Sequence, residues 1–180
     1  MGFGLWALGF GLWALGFRLS ARAWLLPFLR MEDDRARDHR KLRVFHDAHR
    51  LTLAIYKHTK NFPKDEWYGL RAQIRKASVS IPTNIVEGSA RRSTREYLNF
   101  LNIARASGAE VAYLVQLTYA LEILSKSSFA ILDELCQQLV PQLEALVDSV
   151  EQLWIEERKA KRVKTARNRG RARNARLERA

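Results

Sequence analysis

Residues Tyr68 to Leu101 read YGLRAQIRKASVSIPTNIVEGSARRSTREYLNFL, and this stretch decides the fold. Leu70, Ile74, Ala77 and Ile81 recur at steps of four, three and four, which puts them on one helical face. Arg71, Arg75 and Lys76 fall largely on the other side. Pro82 has no N–H and clashes with the preceding turn, so the spacing predicts a stop or kink near Ser80 and Ile81. A further turn over 83–87 follows, and Gly88 suits a C′ position that needs φ > 0. Ser93-Thr94-Arg95-Glu96 then reads as a capping box, with the Ser93 hydroxyl accepting the Glu96 N–H and the Glu96 carboxylate reaching back. A new helix starts there, with Arg91, Arg92 and Arg95 at the junction.

Working outward, the pattern predicts a first helix over 42–61, with Val44, Ala48, Leu51, Ile55 and Phe62 on one side. Phe62-Pro63 ends it, because the residue before a proline avoids the helical region. The third helix is expected over 94–124, its apolar stripe running through Phe100/Leu101, Ala104, Gly108, Val111, Val115 and Leu121. Small residues at 104–109 imply a close helix–helix approach there. Ser125 to Ser128 reads as a turn and cap. In the fourth helix Leu132, Leu135, Leu139, Leu143, Leu146, Val150 and Leu153 form a heptad-like seam, with a kink expected at Pro141. The fold class that follows is all-α: an antiparallel up-and-down four-helix bundle over 41–157, with turns near 62–67, 88–93 and 125–128.

The charge of +12 is unevenly placed. Residues 158–180 hold 11 Lys and Arg against one acid, while residues 31–157 hold 17 against 18. Within that near-neutral body, residues 31–105 are basic on balance and residues 106–157 acidic. Such a separation can steer nucleic acid to one surface, and it serves equally to pair helices or subunits. The tail RKAKRVKTARNRGRARNARLERA is expected to be a disordered or partly helical arm. Its repeated arginine and lack of aromatics favour phosphate contacts over base stacking.

Catalytic constellations do not emerge. His46 and His49 lie one turn apart, but no convincing third and fourth ligands accompany them, so solvated histidines are expected and no metal or cofactor. Glu87, Glu96 and Glu110 lack His or Lys partners at helical spacing, which points to caps or buried hydrogen bonds. The single cysteine, Cys136, rules out an intrachain disulfide and fits a reducing, cytoplasmic setting.

Residues 1–30 form an apolar leader in which the heptad GFGLWAL occurs twice in tandem. Arg18 and Arg22 interrupt its apolar run short of the ~20 residues that span a bilayer. The arginines follow the apolar run rather than precede it, which argues against a signal peptide. The expectation is that translation starts at Met31, with 31–40 a linker; the weighed alternative is a membrane-associating anchor. Intact-mass measurement on the native protein separates the two.

Three motifs carry a resemblance: FP…E-x-YGL-x-x-Q-x-R (Phe62 to Arg75), SIP-x-NI-x-EG (Ser80 to Gly88) and E-x-x-x-FL-x-IA (Glu96 to Ala104). Together with the leucine-rich fourth helix they resemble the four-helix-bundle protein family, the 23S rRNA intervening-sequence proteins, over about Lys41 to Leu153. The resemblance implies an antiparallel bundle that assembles as a homopentamer, with no established activity or catalytic residue. It also implies kinship with the accessory protein of diversity-generating retroelements, and so a reverse transcriptase or a ribosomal component as partner. Val86, where alanine is usual, and Pro141 depart from the pattern, and the leader and the arginine tail lie outside it.

The functional expectation is therefore a non-enzymatic oligomer that binds RNA or DNA by phosphate contacts, with a protein–protein adaptor as the alternative. Arg71, Arg75, Lys76, Arg91, Arg92 and Arg95 supply a folded patch. Arg158, Lys159, Lys161, Arg162, Lys164, Arg167, Arg169, Arg171, Arg173 and Arg176 supply an arm.

Overall fold

The computed structural model describes residues 37–177, apart from the side chains of Ala172, Arg173, Ala175, Arg176 and Leu177. The leader over 1–30 and most of the linker lie outside the described residues. Four α-helices follow one another: α1 (Arg43–His58), α2 (Leu70–Ser89), α3 (Thr94–Ala120) and α4 (Lys126–Leu177). Each packs on its neighbours in sequence, and α1 closes the ring against α4. Neighbouring helices run in opposite senses. Ser80 meets Ser107 while Gly88 meets Tyr97, and His58 meets Ser128 while Asp47 meets Gln142. The bundle is antiparallel and up-and-down.

The core follows the apolar stripes. Val44, Ala48, Leu51, Ile55 and Phe62 are all buried, as are Ile74, Ala77 and Ile81 of α2. In α3, Leu101, Ala104, Gly108, Val111 and Val115 are buried as expected, but Leu121 is exposed. The reason is where α3 ends. Glu122 adopts a left-handed φ of 59°, the Ile123 and Leu124 N–H groups bond to the Thr118 carbonyl, and Leu124 turns inward in place of Leu121. The helix thus stops at Ala120 rather than 124. Ser125 then caps α4, its hydroxyl accepting the Ser128 N–H.

Helix α2 corrects two expectations. It runs unbroken through Pro82, and Gly88 lies inside it, buried, rather than at a left-handed C′ position. Proline removes the donor that the Ser78 carbonyl would otherwise receive. The Thr52 hydroxyl of α1 stands in: its oxygen lies 2.8 Å from that carbonyl and 2.9 Å from the Ala48 carbonyl, so its one proton is shared. Gly88 is needed for proximity. A Cβ there would sit 2.9 Å from the Phe100 Cβ and 3.0 Å from the Tyr97 ring. Val86, by contrast, lies on the exposed side, where its extra bulk meets no core.

Helix α4 likewise continues through Pro141. Pro141 and Gln137, whose carbonyl loses its helical donor, are both on the exposed face and open to water. The seam Leu132, Leu139, Leu143 and Val150 is buried; Leu153 is exposed. The capping box forms in altered shape: the Glu96 N–H donates to Ser93 Oγ at 3.2 Å, and the carboxylate receives the Ser93 hydroxyl proton instead of bonding the Ser93 N–H. Of the larger apolar side chains beside the stripes of α1 and α4, Leu53 and Tyr56 are exposed. Val147 is buried, and Trp154 packs against the core.

Candidate nucleic-acid interface

The topology splits the six folded-patch residues into two groups at opposite poles. Arg71, Arg75 and Lys76 belong to the first turns of α2, and Arg91, Arg92 and Arg95 to the turn after it. From Arg71 to Ser89 the helix rises about 27 Å at ~1.5 Å per residue. The six therefore do not form one continuous patch.

At the first pole the arginines are engaged within the fold. The Arg75 Nε donates to the buried Thr59 Oγ1 at 2.8 Å, and its Nη2 to the Tyr56 carbonyl at 3.2 Å. Its guanidinium lies 4.7 Å from the centre of the Tyr56 ring. The Tyr56 carbonyl belongs to the last turn of α1, where helical donors run out and a cation meets the negative end of the dipole. Burial, followed by the neighbouring Arg71 charge, lowers the Arg75 pKa, with Tyr56 opposing. Arg71 covers the Trp67 ring at 5.0 Å, while Tyr68 beside it is 95% exposed. Lys76 is exposed.

At the second pole the α2–α3 turn meets α4. The Thr94 Oγ1 donates to Glu157 Oε1 at 2.8 Å, which sets Arg158 and the residues after it beside the turn that carries Arg91, Arg92 and Arg95. Arg91 lies 4.6 Å from the Phe100 ring centre, and Arg158 4.7 Å from that of Trp154. Arg92 and Arg95 are exposed. The antiparallel topology brings the start of α1 to the same pole, because His39 contacts Ser89 at the end of α2. Arg40, Lys41 and Arg43 are exposed there. Sequence reasoning left these three out, although alternating helix direction was the signal that would have placed them.

The tail is helical. Helix α4 continues beyond Glu157 to Leu177, a further ~30 Å of rise. Alanine, arginine and lysine, strong helix formers, dominate residues 158–177, and Gly170 is the weakest position. Arg158, Lys159, Lys161, Arg162, Lys164, Arg167, Arg169 and Arg171 are all exposed. Arg173 and Arg176 lie on the same helix with their side chains outside the described residues. Among the described residues no carboxylate pairs with an arm cation; the ion pairs present join Asp47 to Arg43 and Arg50.

Three of the histidines are engaged separately, and His49 is exposed. His46 contacts the Arg40 carbonyl, His58 the Ser128 hydroxyl and His39 the Ser89 hydroxyl, and no cluster with metal-ligand geometry occurs among the described residues. Glu110 accepts from the Gln73 amide, Glu96 serves the cap, and Glu87 is exposed. No described helix is long and apolar enough to cross a membrane.

The protein is thus a member of the antiparallel four-helix-bundle class, with a cationic pole extended by its last helix. Residues 40–145, more than half of the chain, match the 23S rRNA-intervening sequence protein family, and the chain belongs to that family. A crystal structure of a protein with unknown function from the S23 ribosomal protein family of Bacteroides thetaiotaomicron is similar in fold. The TM-score is 0.52 at 21% identity, over 58% of this chain and 97% of that one. No curated protein matches the chain. The arm lies wholly outside the family match.

Proposed function

We propose that this is a non-enzymatic, oligomeric bundle protein of the cytoplasm that binds RNA or DNA through phosphate contacts. One observation carries the reading: Arg92 and Arg95 are exposed beside the root of an arm whose cations have no carboxylate partners among the described residues. Unpaired surface arginines concentrated at one pole are the electrostatic footprint of a polyanion ligand. The family name, which places its members with 23S rRNA inserts, agrees with such a ligand. Binding of this kind gives weak sequence preference and strong salt dependence.

The test is a salt-titrated fluorescence anisotropy series on three proteins: the intact chain, a chain lacking 158–180, and one with Arg91, Arg92 and Arg95 replaced by Ala. Every phosphate that the variant no longer neutralises flattens the slope of log K against log salt by close to one unit. Absence of binding by the intact protein at ~50 mM salt rejects the reading.

The second reading, an adaptor or scaffold for a partner such as a reverse transcriptase, is favoured by exposed apolar side chains. Leu53 is 59% exposed and Tyr113 62%. The same side chains support self-assembly, with five copies as the resemblance implies. Light scattering at micromolar concentration tests the assembly. Retention of a co-purified protein after nuclease treatment favours the adaptor.

A further inference from the structure

Past Arg158 the described residues of the fourth helix are exposed through Arg171, and the helix becomes a cationic rod. At ~100° per residue, Arg158, Arg162 and Arg169 fall within ~40° of one another, and Lys164, Arg167 and Arg171 within ~60° on the opposite side. Lys159 and Lys161 lie on the flanks between. No acid and no aromatic residue interrupts positions 158–177.

We propose that this rod occupies the major groove of B-form duplex DNA, its two cationic faces meeting the phosphates of the two strands. Arg92 and Arg95 then reach the backbone where the arm leaves the bundle. The inference rests on the reading of the protein as a nucleic-acid binder and narrows the ligand to a duplex.

Three features point to a groove. A helix with its side chains is ~10–12 Å wide, and the major groove of B-form DNA is ~12 Å wide, whereas that of an A-form RNA helix is too deep and narrow to admit one. Single strands are held largely by stacking on aromatic rings, which the arm lacks. Charge on opposite faces is the third. Arg158 and Arg162, Lys161 and Lys164, and Arg167 and Arg171 are like-charged neighbours at helical spacing, and each such pair weakens the helix. A flat anionic surface relieves repulsion on one side of the rod only. The two phosphate walls of a groove relieve it on both.

The acidic stripe of α4, with Glu134, Glu144, Asp148 and Glu151 exposed, is a competing ligand of the flat kind. It cannot receive its own arm, because one unbroken helix carries both and the arm points away from it. It can receive the arm of another copy, and the test covers that outcome.

Intact protein is titrated against a DNA duplex of about two helical turns, the RNA duplex of the same sequence, and one DNA strand alone, at ~100 mM salt. Ala166→Pro keeps every charge and breaks the rod. It lies outside the packed bundle, so the thermal melt of the bundle serves as the folding control. Gly170→Ala strengthens the rod where an added Cβ meets nothing within 4 Å. The expected result is a preference for the DNA duplex of about tenfold or more, lost in Ala166→Pro without loss of single-strand affinity, and raised a few-fold in Gly170→Ala. Methyl green, a major-groove ligand, should compete. Equal binding of all three nucleic acids, unchanged by Ala166→Pro, overturns the groove and leaves phosphate binding standing. No nucleic-acid binding, or arm-dependent self-association in its place, overturns both.

Discussion

Arg75 and Arg169 are the same residue in opposite surroundings. Arg75 is half-buried, donates to Thr59 and to the Tyr56 carbonyl, and lies over an aromatic ring. Arg169 stands exposed on the arm, without a carboxylate partner among the described residues. The first is held by the fold and contributes to it. The second contributes nothing to the fold and is available to a ligand. A count of basic residues, or a patch drawn from sequence proximity, merges the two, and the hydrogen bonds separate them.

The largest expected effect sharpens that separation. Deleting 158–180 should lower nucleic-acid affinity on the order of 10²–10³-fold near 100 mM salt, because many phosphate interactions vanish together. The melting temperature of the bundle should move little, since the arm is exposed and meets the bundle through Arg158 over the Trp154 ring. A large drop in melting temperature would break the comparison.

Arg75→Ala is the reverse experiment. It leaves the buried Thr59 hydroxyl and the last turn of α1 without their cationic donor, and a loss of about 1–3 kcal/mol in urea unfolding is expected. Lysine should not restore it, because one ammonium cannot reproduce two directed N–H groups stacked on a ring. The salt slope of nucleic-acid binding should stay as in the intact chain. A flattened slope would return Arg75 to the ligand site.

Much of the bundle was legible because its signals are local. The stripe through Val44, Ala48, Leu51 and Ile55 needs no partner to be read, although its helix ends at His58, a turn before the expected Phe62-Pro63 boundary. What could not be read depended on a second helix. Pro82 looked like a breaker because its missing donor is visible in the sequence, while the compensating Thr52 hydroxyl lies on another helix. Gly88 looked like a conformational glycine because the Phe100 Cβ that excludes a larger residue is twelve positions away. The basic patch divides into two for the same reason. Residues 71–76 and 91–95 are close in sequence and at opposite ends of a helix, whereas 91–95 and 158 are distant in sequence and joined by the Thr94–Glu157 bond.

The two buried glycines make a finer test of how rigid the packed region is. Gly88→Ala drives a methyl against the Phe100 Cβ, which is fixed to its backbone, so a loss of about 1–3 kcal/mol is expected. Gly108→Ala meets the Leu143 Cδ1 at 2.9 Å, the free end of a side chain that can turn aside. The helix propensity gained, ~0.5–1 kcal/mol, should offset most of that strain. Thr52→Val follows at about 1 kcal/mol, the donor to the Ser78 carbonyl being removed while the shape is kept. Equal effects at the two glycines would mean that α3 and α4 cannot adjust, and the packed region would then be stiffer than its packing implies.

The smallest effect concerns ionisation, where bundle and arm differ most in principle. The arm's cations are exposed; the buried Cys136 thiol is kept neutral, its pKa pushed from 9.0 up to about 12, first by burial and then by Asp133. The folded value lies above the unfolded one, so the unfolded chain loses its proton first as pH rises. Below pH 9.0 both states hold the proton and the thiol contributes no pH dependence. Between there and about 12 the stability should fall with rising pH. At pH ~9.5 the loss should remain below about 1 kcal/mol. Tyrosines and lysines titrate nearby, so the measurement is the difference between the intact chain and Cys136→Ala in urea midpoints across this range. The gap between them should narrow as pH rises. In the same range a thiol reagent should label the folded chain far more slowly than the unfolded one. A parallel pair of curves, or rapid labelling at pH ~8, would show that water reaches the centre of the bundle.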